Sequence, residues 1–316
     1  MSDERPLIVV AGDSLIDRIV RSDGVVEEVP GGGPFNTARA LARLGCRVAF
    51  LGRLSTDRYG AILRGRLVDD GVDLSLAPST ADPTLVAIAE LDDDGVASYR
   101  FEPPDNAAAG LATGDIPSGL PKRTAALHVG TLGLVFEPMA TTLAALVAAA
   151  RKDILVVADP NIRPAAIADA AAYREQLARL VPRVDVLKVS VDDLRWLAPS
   201  RDPLAAARRL ADSGPSLVLV TDGPRPVIAV RRSGAAAFVD VPAVDVVDTI
   251  GAGDAFSAAF LARWMGAGRG RGDLADLDAV VDATRFAVRA AAWTVSRRGA
   301  DPPHLADLGL GPDPMP

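Results

Sequence analysis

The sequence contains very little cysteine, histidine and lysine. With Cys46 as its single cysteine and only two histidines, the chain cannot form an intrachain disulfide, and a zinc site of cysteine and histidine is not expected. Lysine occurs only at Lys122, Lys152 and Lys188. No Gly-x-x-x-x-Gly-Lys-Ser/Thr loop and no His-Arg-Asp motif is present. If this chain binds phosphates, other groups must hold them.

Long apolar runs and a positive charge excess are also missing. The longest apolar run, residues 143–150, is far shorter than the roughly 18 residues of a membrane span. The start, MSDERPL, lacks the basic and apolar regions of a signal peptide. A net charge of −7 argues against nucleic-acid binding. We therefore expect a soluble cytoplasmic protein without nucleic-acid or membrane partners.

Short runs rich in β-branched residues alternate with segments of helical spacing. The predicted strands are LIVVA, VAFL, AALHV, ILVVAD, VDVLKV and LVLVT, and the predicted helices include PFNTARALARLG, EPMATTLAALVAAARK, AAYREQLARLV and PLAAARRLADSG. This alternation is typical of a mostly parallel sheet with helices on both faces. It predicts an α/β sandwich.

Two regions break the alternation, residues 13–30 and residues 84–102. The second alternates apolar and polar residues around an Asp-rich turn that ends in Gly95, which predicts a β-hairpin. Together they predict a small β-appendage on one domain that spans residues 1–306. Residues 307–316, with LGLGPDPMP, lack periodicity and are predicted to be disordered.

The strongest local pattern is VDTIGAGDAF, residues 247–256. A β-rich run ends here and a helix is predicted to begin near Gly253, so small residues leave N–H groups free to attract an anion. Asp254 follows, where a carboxylate can accept the proton of an attacking hydroxyl. The spacing alone equally fits a tight turn with Asp254 as a helix cap. A dinucleotide loop would require glycine at Phe256, which excludes that fingerprint.

The segment Asp-Thr-x-Gly-Ala-Gly-Asp, residues 248–254, resembles the C-terminal signature of the ribokinase-like (pfkB) sugar kinases. The resemblance covers residues 7–303 and implies a three-layer α/β/α sandwich with a small β-sheet lid. It also implies that Asp254 is the catalytic base and that the amides of Gly251, Ala252 and Gly253 form an anion hole.

Three further segments resemble the sugar side of such a kinase. Gly-Gly-Gly-Pro-Phe-Asn, residues 31–36, is similar to the N-terminal signature and implies sugar contacts from Gly32, Gly33 and Asn36. GDSLID, residues 12–17, implies that Asp17 binds two adjacent hydroxyls. Asp-Pro-Asn-x-Arg, residues 159–163, implies a substrate or phosphate contact from Arg163. Apart from the family, these segments also fit turns and solvated loop residues.

The nucleotide side resembles the same family less closely. Ser190 and Asp193 stand where many members have Asn-x-x-Glu in a magnesium-phosphate network, although the pair also fits an ordinary helix N-cap. Thr-x-Gly, residues 221–223, implies phosphate contacts from Thr221 and Gly223. The implied adenine contacts are Ala292 and Ser296, and the implied monovalent-cation ligands are Asp248 and the Ile250 carbonyl.

The resemblance implies an ATP- and Mg²⁺-dependent kinase, with K⁺ as a candidate activator, that forms a homodimer through its lid. Asp-Pro-Asn-x-Arg and LHVGTLGLVFEP are most similar to fructokinases, so fructose or a similar ketohexose is the expected substrate. 2-Keto-3-deoxygluconate kinase, then ribokinase or nucleoside kinase, are the alternatives. Two hypotheses belong to other functional classes. One is a sugar-binding regulatory protein that retains the fold, and the other is a nicotinamide-dependent oxidoreductase.

Overall fold

In the part of the chain that the structure describes, fourteen strands and eight α-helices form the main elements. The computed structural model describes residues 5–20, 24–91, 97–116 and 119–309. The strands are β1 Leu7–Ala11, β2 Leu15–Val20, β3 Val26–Gly31, β4 Arg47–Leu51, β5 Leu54–Ser55, β6 Ser79–Thr80, β7 Val86–Leu91, β8 Ala97–Glu102, β9 Thr124–Gly130, β10 Leu155–Asp159, β11 Val186–Ser190, β12 Leu217–Asp222, β13 Arg225–Arg231 and β14 Ala236–Val239. The helices are α1 Gly33–Arg43, α2 Arg58–Asp69, α3 Met139–Ala149, α4 Ala170–Leu180, α5 Val191–Leu197, α6 Pro203–Asp212, α7 Ala252–Gly266 and α8 Leu277–Val295.

Eight strands form the central sheet in the order β14-β13-β12-β11-β10-β9-β1-β4. Pairing is parallel from β4 to β12, and β13 and β14 add antiparallel at one edge. All six predicted central strands are therefore confirmed. The edge pair was not predicted, and it arises because Gly223, with φ of 53°, closes a tight turn between β12 and β13.

The sheet is covered on both faces because its strands alternate their side chains. In β1, Ile8 and Val10 join one core while Val9 and Ala11 join the other. The first core takes in α1, α2, α7 and α8, and the second takes in α3, α4, α5 and α6. The predicted three-layer α/β/α sandwich is confirmed.

A second sheet of four strands has the order β3-β2-β7-β8. The hairpin predicted over residues 84–102 is present as β7 and β8, which pair antiparallel from Val86↔Glu102 to Leu91↔Ala97. Its turn, residues 92–96 with Gly95, lies outside the described residues. Because β2 begins four residues after β1 ends, the small sheet stands beside the carboxyl edge of the central sheet.

The chain remains structured beyond residue 306. Residues Leu305–Leu308 form a short 3-10 helix in which both leucines are buried, and they pack on the core beside α8. The start of the predicted disordered tail is thus too early, because Leu308 has apolar surface to bury. The prediction for residues 310–316 lies outside the described residues. Within the described ranges, every helix is too short or too polar to cross a membrane.

The strand order marks the place where a ligand crevice forms. From β1 the chain first adds β4 on one side, and later adds β9 on the other side. In open α/β sheets, ligands bind at the carboxyl ends of strands where the winding direction changes. The loops after β1 and β9 therefore define the candidate site.

Candidate active site

Two helices beside this crevice begin at glycine and lack a side-chain cap. An aspartate or serine side chain accepts hydrogen bonds from the first turn of α2, α4, α5, α6 and α8. In contrast, α1 follows Gly32 with φ of 107° and α7 follows Gly251 with φ of 77°. Both φ values lie in the region that favours glycine. The uncapped N-termini leave amides available to an anion.

The first turn of α7 contains the strongest sequence motif. The amide of Ala252 donates to the Thr249 carbonyl oxygen at 3.3 Å. Within the described part of the chain, the amides of Gly253 and Asp254 have no acceptor. The Gly251 amide likewise has no acceptor there, so Gly251, Gly253 and Asp254 supply the free donors at this helix end, and the anion hole predicted from Gly251, Ala252 and Gly253 stays a prediction. Asp254 lies inside the first turn rather than capping it.

The Asp254 carboxylate is buried next to these amides. The Asn36 Nδ2 donates to Asp254 Oδ2 at 2.9 Å, which joins α1 to α7 and brings the two predicted signatures together. Burial is the main cause that raises the Asp254 pKa to about 7, and the Asp159 charge adds to it. The Asn36 hydrogen bond and the Lys188 and Arg163 charges oppose this rise. A carboxyl group with a pKa near neutrality suits a general base.

Asp13 is a site residue that sequence reasoning missed. It follows β1, is fully buried, and accepts a hydrogen bond from the Gly133 amide at 3.0 Å across the crevice. Burial chiefly raises its pKa to about 7, and the Asp254 and Asp17 charges contribute. Its Oδ2 and the Asn36 Oδ1 have no partner among the described residues. Two buried acceptors without donors fit a ligand that carries hydroxyl groups.

Asp17 and the glycines of the first signature lie beside Asp13. Asp17 projects from β2 against the Gly31 backbone, and its charge acts on Asp13. Burial raises the Asp17 pKa to about 6, and the Arg163 charge opposes the rise. The Gly32 backbone lies against Asp13, so that a Cβ there would be 3.0 Å from Asp13 Oδ2. Gly33 lies against the Thr131 hydroxyl.

Arg163 is exposed on the loop that follows β10. Its guanidinium donates only to the Asn161 and Ile162 carbonyl oxygens, both at 3.3 Å, and forms no ion pair with the described residues. The charge nevertheless influences Asp17 and Asp254. This guanidinium is available for an anionic or oxygen-rich ligand.

Asp193 holds the Arg163 loop in place. Its Oδ1 accepts from the Ile162 amide at 2.7 Å, and its Oδ2 accepts from the Ser190 amide and hydroxyl at 2.8 and 2.7 Å. The Ser190 hydroxyl in turn accepts from the Asp193 amide at 3.0 Å, which completes a capping box. Both carboxylate oxygens thus have protein donors. The predicted contact of Ser190 and Asp193 with a magnesium-phosphate network stays a prediction.

The remaining nucleotide-side residues line the same edge of the sheet. Thr221 is the penultimate residue of β12 and pairs with Ser190 of β11, and Gly223 forms the turn after β12. Ala292 is buried in α8, whereas Ser296 ends that helix and its hydroxyl donates to the Trp293 carbonyl at 2.7 Å. Their nucleotide contacts stay predictions.

Asp248 joins the two loops on either side of the α7 N-terminus. Its Oδ1 accepts from the Ile250 amide at 3.0 Å and its Oδ2 from the Gly299 amide at 2.8 Å. The loop after α8 then packs on the N-cap, because a Cβ on Gly251 would lie 2.8 Å from Ala300 Cβ. Asp248 therefore shapes the anion site whether or not it also binds a cation.

The site also contains Lys188 and Asp159, a buried ion pair with 2.7 Å between Lys188 Nζ and Asp159 Oδ2. Sequence reasoning quoted Asp159 within a motif and passed over Lys188. The available signal was a charged residue in the middle of an otherwise apolar strand, which requires a buried partner.

Comparison with known proteins agrees with this arrangement. The profile of the pfkB family carbohydrate kinases matches residues 5–306. A fructokinase from Rhizobium leguminosarum bv. trifolii is 34% identical over 262 residues, which cover 81% of this chain and 79% of the relative. The structure of Xylella fastidiosa fructokinase with bound ATP matches with a TM-score of 0.87 at 26% identity, over 96% of this chain and 97% of that one.

A double-mutant fructokinase from Vibrio cholerae O395, in its fructose, ADP and potassium ion bound form, matches with a TM-score of 0.85. It is 27% identical and covers 98% of this chain and 99% of that one. The matched profile spans nearly the whole chain, including both glycine signatures. This chain belongs to the pfkB family of carbohydrate kinases.

Proposed function

We propose that this protein transfers the γ-phosphoryl group of ATP to the hydroxymethyl group of fructose or a similar ketohexose. The observation that carries the proposal is the buried Asp254 carboxylate beside the free amides of Gly253 and Asp254, with Asn36 at 2.9 Å. The Asp254 carboxylate, as a base, and the amides of the α7 first turn, as an anion site, thus lie next to each other. The fructokinases among the relatives support the choice of sugar.

The reaction needs three events at this point. Asp254 accepts the hydroxyl proton of the sugar hydroxymethyl group, while the oxygen of that hydroxyl forms a bond to the γ-phosphorus. The bond from that phosphorus to the bridging β,γ-oxygen breaks, and ADP leaves with the electron pair. Charge on the equatorial phosphoryl oxygens is stabilised by the amides of the α7 first turn.

The sugar is expected on the Asp13 side of Asp254. Asp17 and Asn36 offer acceptors to adjacent hydroxyls, and the unpartnered Asp13 Oδ2 adds one that the sequence did not predict. The small sheet, which carries Asp17, would cover the sugar and exclude water that could otherwise accept the phosphoryl group.

Mg²⁺ is expected on the nucleotide phosphates. Among the described residues, no three acidic, histidine or cysteine side chains converge into a metal site. This fits an ion that takes most of its ligands from phosphates and water. For K⁺, Asp248 and the Ile250 carbonyl remain the candidate ligands, in the loop that Asp248 already orders.

2-Keto-3-deoxygluconate kinase is the second candidate function. Arg163 carries a guanidinium that pairs with no carboxylate in the described ranges, and a substrate carboxylate could bind it in bidentate fashion. Fructose has no such group. The two functions therefore predict different effects of Arg163→Gln on substrate binding. The variant would weaken binding of 2-keto-3-deoxygluconate, whose carboxylate loses its charge partner, and would not remove a charge partner from fructose.

The first prediction concerns which sugar the protein phosphorylates and the role of Asp254 in turnover. ADP release is measured with fructose, 2-keto-3-deoxygluconate, ribose and adenosine, each with and without Mg²⁺. We expect the highest kcat/KM with fructose, and we expect Asp254→Asn to reduce kcat by roughly 10²–10⁴-fold while fructose still binds. The exposed Asp105→Asn is the matched control. Near-normal turnover in Asp254→Asn would exclude its role as base, and no ADP release with any sugar would favour a sugar-binding protein.

A further inference from the structure

Lys188 has an unusual position for a lysine. Its side chain is 5% exposed, and it extends from β11 to donate to Asp159 Oδ2 at 2.7 Å. The same oxygen accepts from the Ser257 hydroxyl of α7 at 3.4 Å. A Cβ on Gly253 would lie 2.8 Å from Lys188 Nζ. The ammonium therefore lies against the backbone of the second residue of α7.

Desolvation disfavours the Lys188 ammonium, but the charges of Asp159, Asp193 and Asp254 outweigh it and raise the Lys188 pKa. The N-terminus of a helix carries partial positive charge, and a nearby cation typically destabilises it. This penalty falls when a negatively charged group binds at the same helix end. The position of Lys188 thus points to the anion that the first turn of α7 is built to hold.

The ammonium also has hydrogen-bonding capacity that the protein does not use. It carries three N–H donors, and the described residues accept one of them, through Asp159. Oxygen atoms of a phosphoryl group are suitable acceptors for the others.

Among the described residues, Lys188 is the one buried cation beside the buried acids Asp159 and Asp254. The groups around Asp254 come from several elements: Asn36 of α1, Asp13 after β1, Thr131 after β9, Asp159 at the end of β10, Arg163 on the loop that follows, and Lys188 of β11; Asp17 of β2 acts on Asp13. His128 of β9 is buried nearby and neutral, since burial lowers its pKa to about 3. Arg163 is exposed and screened by solvent.

We propose that Lys188 is a positioning residue for phosphoryl transfer, which Asp159 fixes beneath Gly253. Its charge strengthens the anion site at the α7 N-terminus and keeps Asp254 ionised, so that Asp254 can accept the hydroxyl proton. The proposal rests on the proposed kinase function. If Lys188 and Asp159 formed a purely structural ion pair, their loss would change only the stability of the fold and not the catalytic step.

The second prediction compares Lys188→Met, Asp159→Asn and the double variant, with exposed Lys122→Met as the control. In Lys188→Met we expect kcat to fall by roughly 10²-fold or more, as after loss of a preorganised charge. We also expect the acidic limb of the kcat/KM pH profile to move to higher pH. The double variant removes both charges, so it should regain the melting temperature lost in Lys188→Met without regaining kcat.

Binding of nucleotides tests the same proposal without turnover. Lys188→Met should weaken binding of a non-hydrolysable ATP analogue at least tenfold and binding of ADP much less, because the γ-phosphoryl group lies nearest the α7 N-terminus. Near-normal kcat in the double variant would overturn the proposal, as would an acidic limb that does not move in Lys188→Met, or equal loss of both nucleotides. If wild-type protein phosphorylates no sugar, the kinase function fails while the nucleotide comparison still decides the role of Lys188.

Discussion

Burial determines the chemistry of the two carboxyl groups that lie on either side of Asn36. Asp13 and Asp254 both have a pKa of about 7, mainly because the surrounding protein disfavours their charged forms. The Asp254 charge also raises the pKa of Asp13. The same burial that makes Asp254 a usable base near neutral pH therefore destabilises the fold when it ionises.

The third prediction is that Asp254→Asn stabilises the protein as pH rises. The folded-state pKa of about 7 exceeds the ordinary value of 3.8, so the folded state holds more protons than the unfolded state between these limits. Stability contributed by this group is present below about pH 4 and is lost as pH rises through 7. Asparagine removes the titration, and we expect a gain of roughly 1–4 kcal/mol at pH 8 relative to pH 4.

Urea denaturation of wild type and Asp254→Asn between pH 4 and pH 8 measures this difference. The exposed Asp105→Asn should leave the free energy of unfolding nearly unchanged at every pH. A constant difference between Asp254→Asn and wild type across this range would contradict the assigned pKa.

At the scale of elements, the first turn of α7 combines requirements that ordinary helices do not have. Gly251 provides the left-handed N-cap, and Gly253 leaves space for the Lys188 ammonium. The Asp254 carboxylate lies in the first turn and does not cap the helix. Gly253 and the Lys188 ammonium conflict with helix stability, since a glycine inside a helix and a cation near its N-terminus both weaken it. The helix persists because most of its length is buried between α1, α8 and the central sheet.

The fourth prediction uses two glycines in helices. Gly253→Ala places a Cβ 2.8 Å from Lys188 Nζ, so the ammonium must move, and we expect kcat to fall at least tenfold. Gly65→Ala in α2 meets open space and should keep activity while stabilising by about 0.5–1 kcal/mol. Turnover assays and thermal unfolding of both variants check this. Full activity in Gly253→Ala would show that Lys188 can shift without consequence.

Over the whole molecule, the two sides of the site belong to one rigid frame. Arg39 and Arg43 of α1 both pair with Asp70, at 2.6 and 2.8 Å. They also donate to the loop after α8, where Arg39 Nη1 reaches the Ala300 carbonyl at 3.4 Å and Arg43 Nη1 reaches Asp301 at 2.6 Å. The helix that holds Asn36 is thereby tied to the loop that packs on Gly251. The small sheet is joined to α2, because the Tyr59 hydroxyl donates to Glu28 of β3 at 2.5 Å and accepts from Arg18 of β2 at 3.0 Å.

The fifth prediction concerns the homodimer proposed to form through the small sheet. The face that carries Asp17 also carries Tyr99, which is 56% exposed in β8. A large aromatic residue on an unpaired sheet face fits a subunit contact. We expect wild type to be dimeric by light scattering, and Tyr99→Glu to be monomeric with a raised KM for the sugar. The exposed Arg201→Glu, remote in sequence, is the control. A monomeric wild type would refute the dimer.

The central strands could be predicted because each is an apolar run with clear boundaries. Their alternation with helices determined the three-layer class, and the short glycine-rich segments predicted both N-caps of the site. The edge strands were missed because β14 is short and both β13 and β14 are partly exposed, so they lack a distinct hydrophobic pattern. Leu308 was assigned to a disordered tail since its packing partners are distant in the sequence.

The sequence by itself determined the alternation of strands and helices and the glycine-rich segments before α1 and α7, because these depend on local patterns, while Asp254 as the base came from the resemblance to the sugar kinases. Only the tertiary structure decided the electrostatics around Asp254. Asp13, Asn36, Asp159 and Lys188 come from four separate segments, and their pKa effects and hydrogen bonds depend on distances of a few ångströms between them. Local spacing carries no information about such distances. The scarcity of lysine suggested that backbone amides alone hold the phosphates, yet the fold brings one of the three lysines to the same helix end.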